Sequence, residues 1–406
     1  MVQSHQLHRN TGIVDPLIFS EDTLSSFFHY QGWSTTKNHF IVRKDLIPSE
    51  QNADLQLGGK TTFKLSNIAD KAGPVQLMWR QAALTTTAGT FRRFDDFLGY
   101  CAWQSIALEH STNEIYTIYP EDVWSKYVRR YDINHQEAIA ELVAGDRSNV
   151  QRDALATGFQ DLIVDLPFPF TCGTKSWMEI MQLAQEPRIT VTWRPLREYV
   201  DTDGTAPVSP LTNVKLRTTY VHFDNDERDN NTIQVESEDG KIRLIDDFKK
   251  EDVTQVAGVT GETNYKINNF RTSTKTLAFI VRRTQDLTTD LANQRFFNLQ
   301  PVVRFWFEGA DGKIIEPIED RYARFYMWPL HHEGKTGKYL YEYTFALDPD
   351  NLCDATGSYN MGNVTNATLH IDWGTVPLAA NVTITMFANE YNTVQHVRGD
   401  IQKNFK

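Results

Sequence analysis

The chain is poor in the groups that most protein chemistry needs. Its three cysteines, Cys101, Cys172 and Cys353, are scattered and odd in number, and none forms a Cys-x-x-Cys pair. That spacing argues against structural zinc and a disulfide framework, and leaves buried reduced thiols as the expectation. No run approaches the roughly 20 apolar residues of a membrane-spanning helix. Met1-Val2-Gln3-Ser4-His5 has neither the basic nor the apolar part of a secretory signal, so synthesis in the cytoplasm is expected. There is no basic block and no Lys/Arg arm, and the net charge is −11. Clustered cations are what hold a phosphate backbone, so no direct contact with nucleic acid is expected.

Motifs that would carry chemistry are broken. Gly58-Gly59-Lys60-Thr61 ends like a phosphate loop, but Asp54 stands where the motif needs its first glycine, so a turn is expected. His331-His332-Glu333 places two histidines side by side, which on a strand point to opposite faces; a loop role is expected. Asp224-Asn225-Asp226 could open a calcium loop, but Asp229 and Val235 occupy the positions that require glycine and a bidentate glutamate. Arg398-Gly399-Asp400 is a short tripeptide that arises often by chance. The sequons at Asn230, Asn363, Asn366 and Asn381 are expected to stay unmodified outside the secretory path. No Gly-x-Ser-x-Gly elbow is present. No catalytic residue, cofactor or metal is expected.

What the chain does have is strand material. Its 406 residues exceed the about 250–300 at which a single core stops growing, which suggests two domains. Arg188-Ile189-Thr190-Val191-Thr192-Trp193-Arg194 alternates apolar and polar side chains, the period of a half-buried antiparallel strand. Val214 to Phe223 is a further strand, stopped by the charged cluster Asp224 to Arg228. Leu277 to Val281 and Val302 to Phe307 read as buried strands, and Ala310-Asp311-Gly312-Lys313 as a hairpin turn. Leu369, Ile371 and Trp373 alternate with polar residues, as do Val382, Ile384 and Met386. Leu98 to Glu109 reads as one long strand. Helix is expected where Pro120 precedes Val123, Tyr127 and Tyr131, and again from Glu137 to Val143. The expected fold class is all-β, two sandwiches in tandem with short helical insertions.

The most specific stretch is near the end. The aromatic alternation through Tyr343, Phe345, Ala346 and Leu347 enters an Asp-Pro turn. A polar loop with Ser358 and Asn360 follows, and then Asn366-Ala367-Thr368-Leu369 opens a new strand. This pattern resembles a signature of the double jelly-roll major capsid proteins of large DNA viruses (the nucleocytoplasmic large DNA viruses) and their virophage relatives. Three more segments are similar to that family, in its order: Phe97 to Trp124; Leu166 to Leu196, with its Pro/Phe-rich entry and Arg-Pro-Leu end; and Thr219 to Arg228, with the Asp224, Glu227 and Arg228 turn. The family's Gly- and Asn-rich N-terminal motif is not evident in residues 1–50.

The resemblance implies two eight-stranded jelly rolls, with an N-terminal arm at 1–30, a first jelly roll at 31–228 and a second at 229–406. It implies a structural protein without enzyme activity, a homotrimer whose 3 × 2 = 6 lobes look hexagonal and tile an icosahedral shell in the virion. The implied partners are further copies of the chain, minor capsid proteins and penton proteins. With no basic surface to condense a genome, an internal membrane or other proteins would line such a shell. A scaffold or minor shell protein of the same fold, and a β-sandwich carbohydrate-binding protein, are the alternative readings.

Overall fold

The computed structural model describes residues 39–52, 55–111, 113–171, 177–223, 241–284, 296, 299–310, 312–334, 339–351 and 355–404. The expected arm and the junction at 228–229 lie outside them, as do Asp224, Glu227 and Arg228.

Eight principal strands succeed one another in the first half. They are β1 (His39–Leu46), β2 (Lys60–Lys64), β3 (Lys71–Gln81), β4 (Trp103–His110), β5 (Asn113–Ile118), β6 (Gln160–Leu166), β7 (Arg188–Trp193) and β8 (Leu211–Phe223). They pair antiparallel into two sheets, β1-β8-β3-β6 and β2-β7-β4-β5. The second half supplies β9 (Lys241–Gln255), β10 (Glu262–Lys266), β11 (Ser273–Arg283), β12 (Arg304–Gly309), β13 (Gly312–Lys313, resumed at Ile318–Glu319), β14 (Tyr341–Thr344), β15 (Thr368–Asp372) and β16 (Val382–Val397). Its sheets run β9-β16-β11-β14 and β10-β15-β12-β13. Adding eight to each strand of the first half reproduces the second. Counted by principal strands, each lobe is a jelly roll of two four-stranded sheets face to face, extended by short strands such as Glu50–Asn52, Met178–Glu179 and Asp400–Lys403.

Period-two patterning builds each sandwich. In β7, Ile189, Val191 and Trp193 are buried while Arg188, Thr190 and Thr192 face outward, as the alternation requires. An aromatic pair bridges the two sheets of each lobe. Trp79 of β3 meets Trp193 of β7 edge-on at 5.3 Å, and Phe279 of β11 meets Phe305 of β12 edge-on at 5.0 Å. The expected hairpin forms at Gly312, where β12 turns into β13 with Glu308 opposite Lys313; the φ of 121° at Gly312 is one that only glycine adopts without strain.

The helices differ from expectation in several places, among them the run 320–331, where the sequence predicts none. Leu98–Cys101 is a short helix, α1, and only Trp103–His110 is strand. Apolar content alone does not separate the two states; here Phe97 stacks on Tyr100 and the Trp103 indole donates to the Gly99 carbonyl at 2.8 Å, both closing a turn. The predicted helices are α2 (Pro120–Arg130) and α3 (Ile133–Val143), the latter starting earlier because Asp132 caps it by accepting from the His135 N–H at 2.9 Å. A third helix, α4 (Asn149–Ala156), opens with a capping box between Ser148 and Gln151, a sequence signal that the apolar period does not reveal.

Candidate functional site

The feature that sets this chain apart from two linked sandwiches is an ionic seam between its lobes. It starts with α2. Pro120 at the first helical position carries no N–H to satisfy, Glu121 and Asp122 fill the first turn, and Arg129 and Arg130 the last. Every residue from Pro120 to Arg129 is buried. One face, with Val123, Trp124, Tyr127 and Val128, packs on the first lobe's core. The other face, with Glu121 and Arg129, meets the outer surface of the β9-β16-β11-β14 sheet.

That surface is the second face of an already packed sheet. Along β11, Leu277, Phe279 and Val281 enter the second lobe's core, whereas Ala278 and Ile280 belong to the core cluster of the first. Phe248 and Phe387 join them, their rings tilted against each other at 5.3 Å. A sheet buried on both faces explains why 277–281 is a continuous apolar run.

Charges complete the junction in an alternating chain. Arg129 Nη1 lies 3.3 Å from Glu342, and Glu342 lies 3.3 Å from His332 Nε2. His332 Nδ1 is 2.8 Å from Asp350, which is 3.4 Å from Arg130 Nε. Arg130 reaches Asp246 at 3.9 Å, and Asp246 holds the buried Lys275 at 2.5 Å. The Asn389 amide, oriented with its oxygen toward Arg129, accepts from both terminal guanidinium nitrogens at 2.9 and 3.0 Å. A second group centres on Glu121, 2.8 Å from Lys250 and 3.2 Å from Arg282. The guanidinium groups of Arg194 and Arg282, one from each lobe, lie 4.4 and 4.7 Å from the ring centroid of Phe296. Gly334 closes the approach: its N–H donates to the Arg129 carbonyl at 3.0 Å, and a Cβ there would sit 1.8 Å from the Val128 carbonyl oxygen.

The electrostatics follow from burial. Burial would raise the Glu121 carboxyl, but Lys250 and Arg282 outweigh it and hold it at about 2. Burial likewise opposes ionisation of Glu342 and Asp350. Arg129 and His332 depress Glu342, while the His332 hydrogen bond and Arg129 depress Asp350. Burial works against a charged His332, yet Glu342 and Asp350 raise it above the ordinary 6.5. The two acids engage opposite ring nitrogens, so they do not converge on one ion; among the described residues no cluster of metal ligands forms. The arrangement pairs acids of one lobe with bases of the other and so ties the two lobes together.

A pH dependence follows. His332, raised on folding, contributes stability that is complete below about pH 6.5 and is lost as pH rises through its folded pKa. The depressed carboxylates contribute stability that is complete above about pH 4.5 and is lost on acidification. Stability to urea is expected to peak between those limits. His332→Gln should flatten the alkaline decline; an unchanged alkaline limb in that variant would sink the assignment.

The signature residues that are described divide between two places. Tyr343, Phe345 and Tyr359 form one aromatic cluster beside Ser358 and Asn360, with Tyr343 edge-on to Phe345 at 5.1 Å and Phe345 stacked on Tyr359 at 5.0 Å. The Asn360 side chain accepts from the Gly362 N–H at 3.0 Å. Ala346 is buried and Leu347 exposed. Asn366 takes a left-handed turn (φ 55°), the Ala367 carbonyl accepts from Ile267 at 2.8 Å, the Thr368 hydroxyl donates to the Glu308 carbonyl at 3.3 Å, and Leu369 is fully buried. These are turn and packing positions. His332 lies in non-regular chain just past the helix that ends at His331, and it is a buried member of the seam. The seam residues escaped the sequence reading, although Glu342 interrupting an aromatic strand, and charges on both faces of α2, were signals of a second buried face.

No protein-family profile matches the sequence, and no curated protein matches it. Solved structures do. The chain is similar to a chain in the quasi-atomic model of the PBCV-1 virus capsid, at 15% identity over 93% of this chain and 100% of that one, with a TM-score of 0.71. It is similar to the Faustovirus major capsid protein at 9% identity, covering 97% of each chain, with a TM-score of 0.70. A chain in the cryo-EM structure of the Sputnik virophage matches at 7% identity over 93% of this chain and 91% of that one, with a TM-score of 0.65. The chain has the double jelly-roll fold of viral major capsid proteins. In this double jelly roll the seam sits where one lobe's helical insertion meets the other lobe's sheet.

Proposed function

We propose that the protein is a major capsid protein, three copies of which form a pseudo-hexagonal capsomer that tiles an icosahedral shell. The observation that carries this reading is the duplicated strand order locked by a buried seam. A rigid block of two like lobes is what three copies need to present six like edges to a lattice, and closed symmetric rings are the usual oligomeric solution. The two jelly rolls would correspond to 31–228 and 229–406, after an arm at 1–30. The likeness to capsid structures along nearly the whole chain supports it. The chain would act without catalysis, in the virion after assembly in the host cytoplasm, with minor capsid and penton proteins as neighbours. Its net charge of −11 suits a shell lined by a membrane or other proteins, with no direct grip on nucleic acid.

Light scattering on a sizing column at two concentrations tests this. The expected mass is three times 46.7 kDa at both. A clean monomer at both would overturn the capsomer reading and return attention to a carbohydrate-binding sandwich.

A further inference from the structure

The lobes share a strand order but not a set of partners. In each lobe a helix follows directly on the strand that closes the β2-β7-β4-β5 type of sheet: α2 after β5, and the helical run 320–331 after β13. Counted from their starts at Pro120 and Asp320, both turn the same positions inward. Ala323 and Trp328 are buried, as Val123 and Val128 are. The outward positions differ. Those of α2 are covered by the second lobe, whereas Tyr322, Phe325, Tyr326 and Leu330 are 51%, 59%, 57% and 63% exposed. Tyr322 and Tyr326 stack on each other at 4.9 Å, and a π turn at Ala323–Met327 sets their spacing. Apart from that stack and Arg324 at 4.9 Å from the Phe325 ring centroid, no described residue is seen to cover these four large apolar side chains, which share one helix face.

The matching vacancy is on the first lobe's sheet. β3 and β11 are equivalent strands of 11 residues. In β11, Ile280 and Arg282 face outward and are covered by the first lobe. The equivalent positions of β3 are Met78 and Arg80, and there the face is open: Met78 and Arg80 are only half-buried. Met78 pairs across the strands with Ile163, giving an apolar centre. Its rim is polar, with Arg80 bound to Asp161 at 2.7 Å and Gln76 donating to Asp165 at 2.7 Å. An apolar centre inside a polar rim is the usual anatomy of a protein interface.

We propose that the aromatic face of the 320–331 helix docks on the Met78–Ile163 face of the next copy of this chain, repeating between chains the contact that α2 makes within one. The occupant is a second copy because the covered version of the same surface is already occupied, in this chain, by the equivalent helix. The contact is heterologous, and each copy uses each face once when the ring closes. It rests on the capsomer reading and adds to it which surfaces meet.

Two variants test it: Phe325→Asp with Tyr326→Asp on the helix, and Met78→Lys with Ile163→Lys on the sheet. All four positions are at least partly exposed, and unchanged circular dichroism and melting would show intact lobes. Each variant alone is expected to fall from three times 46.7 kDa to one. Mixed, the intact helix face of one can meet the intact sheet face of the other, so a species of two chains is expected, captured by an amine cross-linker. Wild-type trimer with either variant still trimeric would overturn this contact and leave the capsomer reading standing. Monomeric variants that give no dimer on mixing would also overturn it. A monomeric wild type would overturn both.

Discussion

Arg129→Ala is expected to destabilise the protein by about 3–5 kcal/mol, among the largest effects of any single charge removal in this chain. Arg129 is buried, and its guanidinium is what balances Glu342 and, through the Asn389 amide, the outer face of β16. Without it, Glu342 and Asp350 share His332 as their nearest buried cation. A buried carboxylate left short of a partner bears most of its desolvation cost. Urea unfolding followed by tryptophan fluorescence measures the loss. Arg129→Met combined with Glu342→Leu should recover much of it, since two apolar groups of similar size bring no unpaired charge. A single-variant loss under about 1 kcal/mol would show that water reaches the seam and that it does not act as a lock.

The second large effect separates the two faces of β11. Phe279→Ala should cost about 3–5 kcal/mol, because the ring is fully buried, stacks on Tyr341 at 5.0 Å and meets Phe305 edge-on at 5.0 Å. Its neighbour Ile280 is as fully buried, but against the first lobe. Ile280→Ala should cost about 2–5 kcal/mol and act on a different event. The Phe279 variant loses the second lobe's own core; the Ile280 variant loosens the docking of two lobes that keep their cores. Calorimetry distinguishes them. Loss of cooperativity, seen as two resolved transitions, is expected for Ile280→Ala, and a single transition at lower temperature for Phe279→Ala. If both variants melt alike, the two cores are one cooperative unit and the lobes are not separable.

Strand content and strand faces were legible because a sheet's period is two and does not depend on distant contacts. Arg188–Trp193 and Thr368–Asp372 bury the residues their alternation assigns. Pro120 marked the start of α2 because its ring removes an N–H that the first turn does not use. The helix at Leu98–Cys101 was not legible, because short apolar runs look alike in either state until a neighbour such as Trp103 chooses. The capping box at Ser148 was written in the chain, but a local hydrogen bond has no apolar period to announce it.

By itself, then, the sequence determined an all-β chain with enough apolar alternation for two sandwiches, and four of its segments resemble the double jelly-roll capsid proteins. Only the tertiary structure decided that the second lobe's sheet is buried on both sides. The run Leu277 to Val281 says that its side chains are buried; it does not say against what. That Ile280 meets the first lobe, that Glu342 finds Arg129 213 positions away in the chain, and that Met78 is left without the cover Ile280 has, follow from how two folded lobes approach. Local periodicity records which way a side chain points, and the identity of what it meets is a long-range fact.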